Sequence, residues 1–213
     1  MIQNPVAVKE FIPIDLETIK KQILILQNYY DIQIVNIGLL GSLDILDFVI
    51  PLFEKTKIIW DPILSSGSGD FQFIKEDQFN RLMMHFNNIY LLTPNLPEAS
   101  ALSGQKIQNF TDIQKTSRIL MEYGAKNVLI KGGHLRGKVI YDTLFEKDQA
   151  SRFYSSPKNF RIHGTGSFLN AAISAYLFSG DKLRISIEKA KHLLNQAVEE
   201  VDEENPVLNI RNN

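Results

Sequence analysis

The sequence predicts one α/β domain: a largely parallel central sheet with helices on both faces. Three observations carry that prediction. Short apolar, β-branched runs alternate with longer stretches of helical periodicity along most of the 213 residues, the pattern of strands joined by crossover helices. The length suits one substantial core. With 44% hydrophobic and 22% charged residues, the composition is that of an ordinary globular protein.

Each element has its own justification. Asp15 is placed to cap a helix whose apolar positions, Leu16, Ile19, Ile23, Leu24 and Leu26, recur at helical spacing. Residues 32–40 form a strand-like run. Ser42 begins the next helix, through Ile45, Leu46, Val49 and Ile50. Lys57-Ile58-Ile59-Trp60 is a strand stopped at Asp61-Pro62, since proline cannot donate to a sheet ladder. Helical periodicity over 78–86 precedes a buried strand, Ile89-Tyr90-Leu91-Leu92, and the helix 112–123 leads through Gly124 into Asn127-Val128-Leu129-Ile130. Residues 139–145 and 151–154 are expected to pair antiparallel at a sheet edge. Helices over 167–178 and 186–201 close the domain, and residues 202–213 are expected to fray.

Charge and composition exclude several function classes. Twenty-three Lys and Arg against 24 Asp and Glu leave a formal charge of −1, so no global field favours nucleic acid or an anionic membrane. The chain has no cysteine, which removes disulfides, thiolate metal sites and a cysteine nucleophile. No apolar run approaches the roughly 20 residues of a membrane span, and the first residues lack the pattern of a signal peptide; cytoplasm is the expected compartment.

The residues able to do chemistry cluster after the strands, where ligands bind in open parallel sheets. They are Gly38-Leu39-Leu40-Gly41-Ser42, Asp61-Pro62 followed by Ser65 to Gly69, Thr93-Pro94-Asn95 with Glu98, and Lys131-Gly132-Gly133-His134. Glycines, hydroxyls, carboxylates and a lysine are what a nucleotide with magnesium requires. His163-Gly164-Thr165-Gly166-Ser167 stands directly before a helix, whose N-terminal amides can hold an anion. It is neither a Walker A loop nor a dinucleotide fingerprint. Taken singly, each has a plainer reading. Asp61 can be a turn former, Glu98 a first-turn helix residue, Lys131 a solvated strand end, His134 and His163 loop histidines, and Gly164 to Gly166 a tight turn.

The order of these motifs resembles the hydroxymethylpyrimidine/phosphomethylpyrimidine kinases. The most specific matches are Thr93-Pro94-Asn95-Leu96-Pro97-Glu98-Ala99, Val128 to His134 and His163 to Gly166, supported by Gln3-Asn4, Ile37 to Ser42, Asp61 to Leu64 and Ser68-Gly69-Asp70. The resemblance implies a ribokinase-like fold, ATP with Mg²⁺, a small aminopyrimidine substrate of thiamine synthesis and a homodimer. It implies that Gln3, Leu39 and Ile63 meet the pyrimidine, and that Asp61 and Glu98 order the metal. Asn95, Lys131, Gly133 and Thr165 would serve the nucleotide, and Gly164, Thr165, Gly166 and Ser167 the reacting phosphoryl group.

The chain departs from the family pattern in three places. It begins at the glutamine-asparagine motif rather than at a strand with a glycine-rich turn, so the domain is expected to be short at its N-terminus. Gly67 replaces a usual lysine, and Ser167 a usual cysteine, the proposed base. A serine hydroxyl is a poor base, whereas a phosphate acceptor with its second pKa at roughly 6 is already ionised near neutrality. Phosphorylation of the alcohol is therefore expected to suffer more than phosphorylation of the monophosphate. The contrasting expectation is a non-catalytic nucleotide-binding or regulatory homologue.

Overall fold

A computed structural model describes residues 1–4, 7–67, 69, 71–132, 140–147, 149–155, 160, 162–202, 204 and 206–208. In chain order the elements are β1 (Ile2–Gln3), β2 (Val8–Glu10), α1 (Leu16–Tyr29), β3 (Ile34–Ile37), α2 (Asp44–Leu52), β4 (Lys57–Trp60), α3 (Phe79–Met83) and β5 (Ile89–Leu92). They continue with α4 (Leu96–Ser103), α5 (Phe110–Glu122), β6 (Asn127–Ile130), β7 (Ile140–Glu146), β8 (Gln149–Ser155), α6 (Thr165–Phe178) and α7 (Leu183–Glu199). Six strands form one sheet in the order β3-β4-β5-β6-β7-β8. The β3–β4, β4–β5 and β5–β6 pairs are parallel, and the β6–β7 and β7–β8 pairs antiparallel.

Period-two alternation divides the strand side chains between two apolar cores. Ile58, Trp60, Leu92, Val128 and Ile130 enter the core shared with α2, α3, α4 and α5. Ile59, Leu91, Leu129, Leu144 and Phe153 enter the core filled by α6 and α7. This double burial explains why β4, β5 and β6 are continuous apolar runs, and why their bounds match the sequence expectation residue for residue. The predicted mixed sheet with helices on both faces is present.

Three expectations are corrected. The 32–40 run is a strand only over β3, because Gly38 to Leu40 already turn into the loop before α2. The 78–86 helix is limited to α3, flanked by single 3₁₀ turns at Glu76–Gln78 and Phe86–Asn88. Within the 202–213 tail, residues 206–208 are anchored, since His163 N–H donates to Pro206 C=O at 2.9 Å and Leu208 packs on the α6–α7 core, while 203, 205 and 209–213 lie outside the described residues. The sequence pattern also gave no sign of the β1–β2 ribbon, whose strands of two and three residues are too short for a period to register. Among the described residues no helix is long and apolar enough to cross a membrane.

Candidate active site

The C-terminal ends of β4, β5 and β6 deliver three charged side chains to one point. Asp61 follows β4 directly, and its amide continues the ladder by donating to Ile37 C=O at 2.9 Å. Lys131 follows β6 and donates its amide to Pro94 C=O at 2.9 Å. The two side chains meet: Lys131 Nζ donates to Asp61 Oδ1 at 2.7 Å, and the Asp61 residue is only 4% exposed.

Glu98 comes from the first turn of α4 through a reciprocal cap. Asn95 Oδ1 accepts the Glu98 N–H at 2.9 Å, and Glu98 Oε2 accepts the Asn95 N–H at 2.7 Å. The glutamate is buried and has no ion-pair partner of its own among the described residues. Its pKa rises from 4.5 to about 7: loss of hydration is the main cause, attraction to Lys131 opposes it, and the Asp61 charge adds to it.

Helix α6 aims its N-terminus at the same point. Gly164, the residue before its first turn, has φ 89° and offers no side chain to cap the following amides. Gly166 makes a close approach, since a Cβ there would stand 3.1 Å from Asp61 Oδ2 and 3.4 Å from Lys131 Nζ and would press the ion pair to shift by a few tenths of an ångström. A buried hydrogen bond one turn further on fixes this register. Asn170 Nδ2 donates to Thr93 Oγ1 at 2.8 Å, and Thr93 Oγ1 donates to Trp60 C=O at 3.3 Å.

These groups line a cleft of about 1010 Å³. Asp61, Asn95, Glu98, Lys131 and the Gly164 to Ser167 segment lie along it, and so do Gln3, Leu39 and Ile63 from the β1–β2 ribbon and the loops after β3 and β4. Of the other candidates, Ser65, Ser66, Gly67 and Gly69 also line the cleft, whereas Gly38, Gly41, Ser42, Thr93 and Gly132 are not among its lining residues. Gly133, His134, Ser68 and Asp70 lie outside the described residues. His163 also lines the cleft, and its backbone is engaged by Pro206 and Leu208.

Sequence reasoning named Thr93 but missed its partner Asn170 and two further polar groups, Asp142 and Lys191. Thr93 and Asn170 hold α6, while Asp142 on β7 and Lys191 on α7 form a second buried ion pair in the cleft wall, 2.7 Å apart. A polar residue within an apolar helix, as Asn170 is between Leu169 and Ala171, was the one available signal.

The donor set suits a hard divalent cation. Asp61 and Glu98 offer carboxylate oxygens, and the raised pKa of Glu98 marks a buried anion whose charge is incompletely balanced, which a cation would relieve. Among the described residues there is no group of three or more His, Cys, Asp or Glu able to chelate a metal alone.

Comparison with known proteins places this architecture. Residues 1–208 match the family model described as phosphomethylpyrimidine kinase. The chain belongs to that family, one of phosphotransferases. It is 32% identical over 203 residues to the hydroxymethylpyrimidine/phosphomethylpyrimidine kinase of Aquifex aeolicus, covering 92% of this chain and 79% of that protein. It is 29% identical over 205 residues to the enzyme of the same name from Haemophilus influenzae, covering 92% and 76%. The solved phosphomethylpyrimidine kinase of Clostridium difficile superposes with a TM-score of 0.77 at 28% identity, over 92% of this chain and 82% of that one. Bacillus subtilis pyridoxal kinase, solved as an ADP complex, shares the fold at a TM-score of 0.79 and 24% identity, over 89% and 72%.

Proposed function

We propose that this chain transfers the γ-phosphoryl group of ATP to 4-amino-5-hydroxymethyl-2-methylpyrimidine, to its monophosphate, or to both, in thiamine biosynthesis. The family and the activity for which its relatives are named support the reaction, and the ADP complex of the Bacillus subtilis fold neighbour supports the nucleotide. The observation that carries the reading is the Asp61–Lys131 pair lodged against Gly166 at the start of α6. It sets a fixed cation beside first-turn amides of a helix that have no partner among the described residues, the arrangement needed where negative charge develops on a phosphoryl group.

The roles follow from position. The first-turn amides of α6, from Gly164 to Ser167, hold the phosphoryl group in transit, and Gly166 permits the approach. Lys131 and Asn95 orient the nucleotide phosphates, with Thr165 beside them. Asp61 and Glu98 would hold Mg²⁺, which when bound neutralises phosphate charge. Gln3, Leu39 and Ile63, which line the same cleft, present the pyrimidine. Ser167, exposed at the cleft, has no means of removing a proton from an alcohol near neutrality, so the monophosphate is the better acceptor.

The reading extends to the cytoplasm as the site of action and to a homodimer. Support for the dimer is the outer edge of β3, which pairs with β4 alone among the described strands, together with the exposed Leu24, Ile25 and Leu26 of α1. The deciding experiment is a product assay with ATP, Mg²⁺ and each pyrimidine in turn. Faster turnover of the monophosphate is the expected result. Faster turnover of the alcohol overturns the acceptor preference, and ATP binding without transfer to either overturns the kinase assignment in favour of a non-catalytic homologue.

A further inference from the structure

Helix α7 brings to the cleft one charged side chain that the reaction outlined above leaves unused. Lys191 is 4% exposed and donates to Asp142 Oδ2 at 2.7 Å and to Ser155 Oγ. Asp142 is equally buried, and its other oxygen accepts the Gly132 N–H at 2.9 Å. The β6–β7 register explains why a side chain takes this amide. Ile130 pairs with Thr143, the last pair of that ladder, so Asp142 comes opposite Lys131 and its carboxylate meets the amide of the next residue.

Gly132 has no latitude here. A Cβ on it would stand 1.9 Å from the Tyr141 carbonyl oxygen, so the chain at 131–132 is pressed onto β7 as well as bonded to it. Lys131, its neighbour, is held at its amide by Pro94 and at its ammonium by Asp61. An unbroken series of contacts therefore runs from α7 through Asp142 and Gly132 to the cation beside the start of α6. Without the Lys191 ammonium, a buried carboxylate would face one amide only; turning into the cleft or taking a proton would relieve it, and either loosens Gly132.

We propose that Lys191 and Asp142 are positioning residues for phosphoryl transfer, setting through the Gly132 amide where Lys131 stands relative to Asp61 and the first turn of α6. The proposal rests on the kinase reading. Its competitor is a pair that serves stability alone. The two separate experimentally, because exchanging both members of a buried ion pair for neutral groups often leaves stability unharmed.

The test compares the natural protein with Lys191→Met, Lys191→Arg and the double variant Asp142→Asn/Lys191→Met, by steady-state kinetics with ATP and Mg²⁺, melting temperature and calorimetric ADP binding. Lys191→Met is expected to lower kcat by about 30-fold or more, the scale of a sub-ångström misplacement, while KM for the pyrimidine stays within about 2-fold. Lys191→Arg recovers most of the loss. The double variant regains the melting temperature but keeps the low kcat. Natural kcat per folded molecule in Lys191→Met overturns the proposal, as does a double variant whose kcat returns with its melting temperature. If the natural protein phosphorylates neither pyrimidine, the kinase reading fails separately and ADP affinity decides. A loss of about 10-fold in Lys191→Met that Lys191→Arg restores supports positioning, and equal affinities in all variants overturn it.

Discussion

Helix α7 buries seven of its 17 residues, from Leu183 to Val198, whereas the 14-residue α1 buries none. Both are amphipathic in sequence. The difference lies in what the sheet offers each of them. Helix α7 lies with α6 over β4 to β8, where Ile59, Leu91, Leu129, Leu144 and Phe153 already present an apolar floor. Helix α1 lies beside α2 at the β3 end of the sheet, where Ile23 packs on the core but Leu24, Ile25 and Leu26 remain 50%, 61% and 48% exposed. The side that is well packed is also the side that supplies the cleft with Lys191 and with the α6 N-terminus. Rigid packing and site construction coincide, as precise placement of charged groups demands.

A matched pair of truncations tests the contrast most directly. Ile187→Ala on α7, at 0% exposure, is expected to cost about 2–5 kcal/mol in chemical unfolding, while Ile25→Ala on α1 stays within about 0.5 kcal/mol. Similar losses at both positions would show that the edge is covered in solution. At the site, Lys131→Met is expected to reduce kcat by about 100- to 1000-fold, some 2.7–4 kcal/mol of transition-state stabilisation, with the fold retained by circular dichroism. A smaller loss than that of Lys191→Met would break the link between the packed side and the chemistry.

How much of this was legible depended on sequence distance. Asp61, Glu98 and Lys131 could be found because each ends or follows a strand recognisable from its own apolar run, and parallel strands bring such positions together. Asn170 and Lys191 could not, because their partners Thr93 and Asp142 are 77 and 49 residues away and each looks like an ordinary helix residue until the helix is docked. The exposure of α1 was equally hidden. Periodicity reveals that a helix has an apolar face, and not whether anything lies against it. The β1–β2 ribbon that carries Gln3 left no pattern at all, since two or three residues cannot establish an alternation.

Glu98 gives the contrast a pH dependence. Its folded pKa of about 7 lies above the ordinary 4.5, so the folded state favours the neutral acid. The stability this group permits is complete below pH 4.5 and is lost as pH rises through 7, by about 3 kcal/mol at pH 8. Glu98→Gln, whose amide oxygen can still accept the Asn95 N–H, should match the natural protein near pH 4.5 and exceed it at pH 8 in urea unfolding. Millimolar Mg²⁺ should narrow the gap by stabilising the carboxylate only. A gap that does not vary with pH would mean that the carboxylate is well solvated.

The smallest effect on folding is expected at the exposed edge, where the consequence is assembly instead. If copies associate through the α1 patch, Ile25→Lys should lower the mass seen by light scattering at tens of micromolar protein, because a desolvated charge at the contact opposes docking. Unfolding free energy should move by less than about 0.5 kcal/mol, since Ile25 contributes no buried side chain to either core. The kcat should be unchanged, because α1 contributes no residue to the cleft. A natural protein that is monomeric throughout this range would remove the dimer, and an oligomer indifferent to the lysine would move the contact elsewhere. In either case the poor burial of α1 would be a property of the isolated domain rather than the mark of an interface.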